Sequence, residues 1–293
     1  MSFPMFPQGK KPGSTRPEGP GRRPAQHPLV VGVPSAPPER VPLVAGVPLG
    51  AIVPRHFNDD PELVVLNQPR STVAERYRSL VARLENLSLP EGRSPQVIVV
   101  TSAVPAEGKT LTAVNLALAM AERRDRTTLL LDADLRRPAV SRYLDPAPRI
   151  GFSEVLSGGA PVEHALLEIK GTRLTVLPSG APNPQPLELL RSDYVGTLLD
   201  DLRRRYDRIV IDTPPAVPFA DAGVLNTHAE GALLVIRAGT TPKPMIERAL
   251  ECLDGGYILG AVLNDVHLTP VDRYYYQYDD YNPHRYSTHK DDA

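Results

Sequence analysis

From residue 97 onward the chain alternates short, unbroken runs of Val, Ile and Leu with longer amphipathic stretches. The runs VIVVTS at 97–102, TTLLLD at 127–132, RLTVLP at 173–178, RIVID at 208–212, GALLVIRA at 231–238 and YILGAVLN at 257–264 read as strands. Because polar residues do not alternate through them, both faces of each strand are predicted to be buried. That is the pattern of a parallel sheet covered on both sides. The intervening stretches predict helices from Lys109 to about Arg123 and at 153–157, 161–169, 186–205, 220–227 and 244–254. Ahead of them, STVAERYRSLVARLENL puts Val73, Tyr77, Leu80, Leu84 and Leu87 on one side of a helix with Ser71 as its cap. The predicted fold class is α/β, a mostly parallel central sheet with helices on both faces.

Residues 1–60 break this rhythm. Of 33 prolines, 14 fall at or before Pro61, in a stretch too poor in apolar periodicity to offset its ordering entropy. The chain therefore divides into a disordered Pro-rich arm (1–60), a folded domain (61–270) and a tail (271–293). Inside the arm PLVVGVP at 28–34 returns as PLVAGVP at 42–48. The repeat reads as low-complexity duplication, with extended docking to a partner as the alternative. The most apolar segment, VPLVAGVPLGAIVP, is short of the roughly 20 residues of a membrane span and is interrupted by Pro42, Pro48 and Pro54. The first residues lack the apolar core of a secretory signal, which predicts a cytoplasmic protein. A net charge of −1 recommends no nucleic-acid partner. One cysteine, Cys252, excludes an intramolecular disulfide and is expected to be a buried helical thiol.

The chemistry gathers at predicted strand ends, where ligands bind in such sheets. Ser102 begins a small-residue loop, VPAEGKTLT at 104–112, in which Gly108-Lys109-Thr110 opens a helix. Backbone N–H groups at such a helix start face phosphate, a lysine reaches the β and γ oxygens, and a threonine hydroxyl can ligate Mg²⁺. Ala103 stands where the strict phosphate-loop pattern has its first glycine. Asp132 and Asp134 end the next strand, predicted to lie beside the loop, and point to one side. Asp212 ends RIVID as a second-strand Mg²⁺ acid would.

The tail RYYYQYDDYNPHRY holds Tyr274, Tyr275, Tyr276, Tyr278, Tyr281 and Tyr286, six of the chain's 11 tyrosines. Interleaved Asp272, Asp279 and Asp280 argue against a packed element, and the charge is wrong for stacking on nucleic acid. Accessible hydroxyls beside a phosphate site point to phosphoryl acceptors.

Over about residues 71–286 these motifs resemble the bacterial tyrosine kinases of capsule and exopolysaccharide export, which derive from P-loop ATPases. GFSEVLSG at 151–158, LPSGAPNPQPLELLRS at 177–192, Asp221-Ala222 and GAVLNDV at 260–266 extend the likeness. The resemblance implies an ATP- and Mg²⁺-dependent protein-tyrosine kinase that phosphorylates its own C-terminal tyrosines. It assigns nucleotide contacts to Glu107, Gly108, Lys109, Thr110 and Leu111, and an adenine contact to Asn264. It makes Lys109, Asp132 and Asp134 catalytic, with Asp132 the base for tyrosine, and gives Mg²⁺ to Thr110, Asp134 and Asp212. It implies a membrane adaptor of the polysaccharide copolymerase type that recruits the chain to the inner face of the membrane, a homo-oligomer and a cognate tyrosine phosphatase. Two departures stand out. Where the family has glycine in Pro-Gly-Glu-Gly-Lys this chain has Ala106, which costs on the order of 1 kcal/mol if the backbone takes a positive φ there. In the family's assembly motif, Glu75 and Arg78 are followed by Val81 in place of a second arginine.

Two other classes share these features. A partition-type switch ATPase has the same fold and acids, but carries a lysine five residues before the loop lysine, where this chain has Val104. A nucleotide-binding scaffold would bind ATP without transferring phosphate to tyrosine.

Overall fold

The computed structural model describes residues 56–89, 92–145 and 147–266. The tyrosine tail and the repeat of the arm lie outside them. Elements run in the order β1 (His56–Phe57), α1 (Val64–Asn67), α2 (Thr72–Glu85), β2 (Val97–Ser102), α3 (Lys109–Ala121), β3 (Thr128–Asp132), β4 (Leu144–Asp145) and α4 (Phe152–Leu156). They continue with α5 (Val162–Ala165), β5 (Leu167–Glu168), β6 (Leu174–Leu177), α6 (Pro186–Leu190), α7 (Asp193–Arg205), β7 (Arg208–Asp212), α8 (Asp221–Asn226), β8 (Gly231–Arg237), α9 (Lys243–Cys252) and β9 (Ile258–Asn264).

Seven strands form one sheet in the order β5-β6-β3-β7-β2-β8-β9, and every pair except β5-β6 is parallel. Successive side chains of a strand point to opposite faces, and the core divides accordingly. Val97 and Val99 of β2, with Leu129 and Leu131 of β3, pack under α4 and α6–α9. Ile98, Val100 and Leu130 face the other way, toward α1–α3. Helix α3 lies between sheet and α2, so every residue except Lys109 and Leu111 is buried, as expected of a helix apolar on all sides. Helix α7 is amphipathic and buries Val195, Leu198, Leu199 and Leu202, a single stripe.

Several expectations need correction. The stretch 161–169 is helical only to Ala165; Leu167–Glu168 then pairs antiparallel with β6, following the alternating burial of Leu167, Glu168 and Ile169. The 186–205 helix breaks after Leu190, where Ser192 is extended and its hydroxyl donates to the Leu189 carbonyl at 2.8 Å. On α2 the buried positions are Ala74, Val81 and Leu84, with Ser71 accepting from the Ala74 N–H, whereas Val73 is exposed. Residues 56–57, placed with the arm by composition, pair with Leu144–Asp145 and bury Phe57. Cys252 is exposed, because Leu253 takes the inward position at the end of α9. Among the described residues no helix is long and apolar enough to cross a membrane.

Candidate active site

Strand order reverses around β2, which opens a crevice at its carboxyl end. The phosphate loop leaves β2 at Ser102 and enters α3 through Gly108, whose φ of 85° is left-handed. A Cβ on Gly108 would lie 2.0 Å from the Asn264 amide nitrogen, so only glycine fits the approach of β9. Ala106 also has a positive φ, 65°, the strain anticipated from the missing glycine.

Strand β7, not β3, lies next to β2, which corrects the expected order. Interposing β7 sets Asp132 and Asp212 directly opposite each other on neighbouring strands. Both are fully buried, and Asp134 is nearly so. Lys109 reaches this cluster: its Nζ donates to Asp134 Oδ2 at 2.9 Å, lies 3.2 Å from Thr110 Oγ1 and pairs with Asp212 Oδ1 at 3.6 Å. Burial alone would lower the lysine's pKa, but the carboxylates of Asp212, Asp134 and Asp132 outweigh it and hold the ammonium above its ordinary value.

The three acids are held differently. Asp132 accepts from the N–H groups of Asp134 and Val140, both at 3.1 Å, and so shapes the turn after β3. Burial, reinforced by Asp212, pushes its carboxyl up to about 8 despite the nearby lysine. A base poised near neutrality can accept a phenolic proton and release it again. Asp134 accepts from Arg137 N–H at 2.9 Å while holding Lys109. Asp212 is raised by burial against the pull of Lys109, and beyond that 3.6 Å ion pair neither of its oxygens has a hydrogen-bond partner among the described residues. A carboxylate this deep with acceptor sites to spare fits a hydrated cation, since Mg²⁺ keeps several waters and takes only one or two carboxylates. Among the described residues no three His, Cys, Asp or Glu side chains form a metal cluster of their own. Asp212, with Asp134 and the Thr110 hydroxyl around Lys109, fits Mg²⁺ held jointly by protein and phosphate oxygens.

On the far side of the loop, Asn264 donates from Nδ2 to the Glu107 carbonyl at 3.0 Å. Glu107 is buried, its Oε2 accepting from Val104 N–H at 2.9 Å.

No family model matches the chain. Among curated proteins it is 35% identical over 216 residues to the tyrosine-protein kinase YwqD of Bacillus subtilis, covering 73% of this chain and 90% of that one. The chain belongs to the bacterial tyrosine kinases. It is also 34% identical over 216 residues to the succinoglycan biosynthesis transport protein ExoP of Rhizobium meliloti, matching 72% of this chain but only 27% of that longer protein. Among solved structures, the kinase domain of the Escherichia coli tyrosine kinase ETK superposes with a TM-score of 0.67 at 27% identity, over 73% of this chain and 84% of that one.

Within this kinase fold two features escaped the residue-by-residue reading. Arg136, two residues after Asp134, pairs with fully buried Asp221 through Nε and Nη2 (3.3 and 3.1 Å) and stacks over Phe219 at 4.3 Å. It ties the turn after β3 to α8. The acidic Asp221 was visible in the sequence, but only the fold shows which arginine it meets. The second feature is Arg78, whose guanidinium pairs with Glu122 at 2.7 Å and Glu75 at 3.1 Å and donates to Pro69 O at 2.8 Å. With Val81 turned into the core, this part of the assembly motif braces α2 against α3 within one chain.

Proposed function

We propose that this chain is an ATP-dependent protein-tyrosine kinase that phosphorylates tyrosines of its own tail, in trans, and so regulates exopolysaccharide polymerisation and export. The observation that carries the reading is the buried Asp132–Asp212 pair facing Lys109 at the mouth of a phosphate loop. Lys109, Gly108 and the start of α3 bind and orient the phosphates. Thr110, Asp134 and Asp212 would hold Mg²⁺, which supplies charge neutralisation for phosphoryl transfer. Asp132, at the end of β3 opposite Asp212, would receive the proton of the incoming tyrosine hydroxyl. A cobyrinic acid a,c-diamide synthase of Mycobacterium smegmatis solved with an ATP analog and magnesium shares the fold, at a TM-score of 0.52 and 21% identity. That likeness speaks for the fold alone. The kinship to a succinoglycan transport protein supports a role beside a membrane adaptor of the polysaccharide copolymerase type, which recruits the chain to the membrane. Homo-oligomerisation and a cognate phosphatase complete the proposal. Val104 in place of the partition lysine argues against the switch-ATPase reading.

Mixing two full-length variants tests transfer in trans. The donor carries phenylalanine at the six tail tyrosines; the acceptor is Lys109→Met. Phosphate on the acceptor's tail supports the proposal, and ATP binding by the donor without transfer makes the chain a scaffold.

A further inference from the structure

The aspartates around Lys109, Asp132, Asp134 and Asp212, lie on one side of β2, at the ends of β7 and β3. In the kinase reading the phosphates and cation face these aspartates, which leaves the β8 and β9 side to the nucleoside. On this second side one hydroxyl joins the loops. Thr241, in the loop after β8, places Oγ1 against Glu107 Oε1 and against the Arg237 carbonyl at 3.2 Å, and accepts from Arg237 N–H at 3.0 Å. The hydroxyl has one proton and two acceptors within reach, and the carboxylate of Glu107, the stronger acceptor, takes it in preference to the Arg237 carbonyl. Glu107 passes the constraint on: its second oxygen holds Val104 N–H and its carbonyl holds the Asn264 side chain. The Asn264 carbonyl accepts from Ala238 N–H at 2.8 Å, and Arg237 pairs with Asp265, a residue with a φ of 54°, at 2.7 Å. The circuit links residues 104–108 to the loops after β8 and β9.

We propose that Thr241 is a positioning residue that, through Glu107, fixes the phosphate loop in its binding shape and couples that shape to the nucleoside side of the crevice. The inference rests on the nucleotide site of the kinase reading. Replacing the hydroxyl by an isosteric methyl leaves Glu107 Oε1 buried without its donor, which is costly for a charged acceptor. The loop then loses the contact that sets Val104.

The test measures binding of a fluorescent ATP analogue, and of inorganic tripolyphosphate by displacement, to full-length wild type, Thr241→Val, Thr241→Ser and Glu107→Gln. Circular dichroism restricts comparison to folded variants, with Thr241→Ala in reserve should Thr241→Val not fold. Thr241→Val is expected to weaken both ligands about tenfold, the order for losing a hydrogen bond to a charged group. Thr241→Ser restores both, and adding Glu107→Gln to Thr241→Val costs little more. Unchanged binding in Thr241→Val overturns the proposal. So does weakening of the ATP analogue alone, which would make Thr241 a direct nucleoside contact, or full additivity with Glu107→Gln. Wild type that binds nucleotide but phosphorylates no tyrosine overturns the kinase reading and leaves this comparison decisive; wild type that binds no nucleotide overturns both.

Discussion

Replacing Ala106 by glycine should stabilise the chain. Its φ of 65° lies in the left-handed region, where an L-residue pays roughly 1–2 kcal/mol relative to its preferred conformations. Glycine removes that strain but brings back about 0.5–1 kcal/mol of unfolded-chain entropy. Ala106 is exposed, so deleting its methyl sacrifices little burial. The net gain is about 0–1.5 kcal/mol, centred at about 0.75, or about 1.5–3 °C in Tm at the centre for a domain of this size. Gly108 provides the opposite control two residues on. There φ is 85° and a new Cβ would meet the Asn264 amide nitrogen at 2.0 Å, so Gly108→Ala adds strain and overpacking of about 1–3 kcal/mol or more. Thermal unfolding of Ala106→Gly, Ala106→Val and Gly108→Ala should therefore give one rise and two falls. A lower Tm for Ala106→Gly, with Ala106→Val unchanged, would refute a left-handed backbone at 106.

Further outcomes follow from the site and the packing. Asp132 has a folded pKa raised to about 8 by burial, so the folded chain binds its proton more tightly than the unfolded chain does. This contribution to stability is complete below about pH 4 and lost as pH rises through about 8; Asp132→Asn should flatten that part of the pH–stability curve, measured by urea unfolding. Asp132→Asn should also abolish tyrosine phosphorylation while leaving ATP binding, and undiminished phosphorylation would count against Asp132 as base. Arg136→Ala leaves the fully buried Asp221 carboxylate unpaired and should cost about 3–5 kcal/mol in urea unfolding. Asp221→Ala should cost less, because the arginine left behind is partly exposed. Cys252 should react with a thiol reagent in the native protein at nearly the rate of a free thiol, and protection until unfolding would contradict its exposed position.

Strands and their carboxyl-end chemistry were legible because long Val/Ile/Leu runs have few alternatives, and each run ends at a residue whose chemistry breaks it: Ser102, Asp132, Asp212 and Asn264. Strand order was not. Local patterning predicts that consecutive strands neighbour one another, whereas β7 enters between β2 and β3 from some 75 residues away and completes the acid pair. Helix ends failed where two signals competed. At Ser192 a cap signal sits inside a continuous apolar stripe, and at Leu167 a two-residue strand follows a helical turn. The α2 face was misplaced because Val73 and Val81 are equally apolar, and only packing against α3 selects Val81. Thr241 carried no signal of its own, since a lone threonine after a strand gains meaning only when the fold brings it to Glu107.

The kinase proposal requires that this site transfer phosphate from ATP to the chain's own tyrosines. Phosphopeptide mapping by mass spectrometry of full-length wild type and Lys109→Met, expressed in the native cells with any natural activator present, tests it most directly. Phosphate is expected on tyrosines among Tyr274, Tyr275, Tyr276, Tyr278, Tyr281 and Tyr286 in the wild type and on none in the variant. An unmodified tail in both strains, from a protein that binds ATP in vitro, would contradict it.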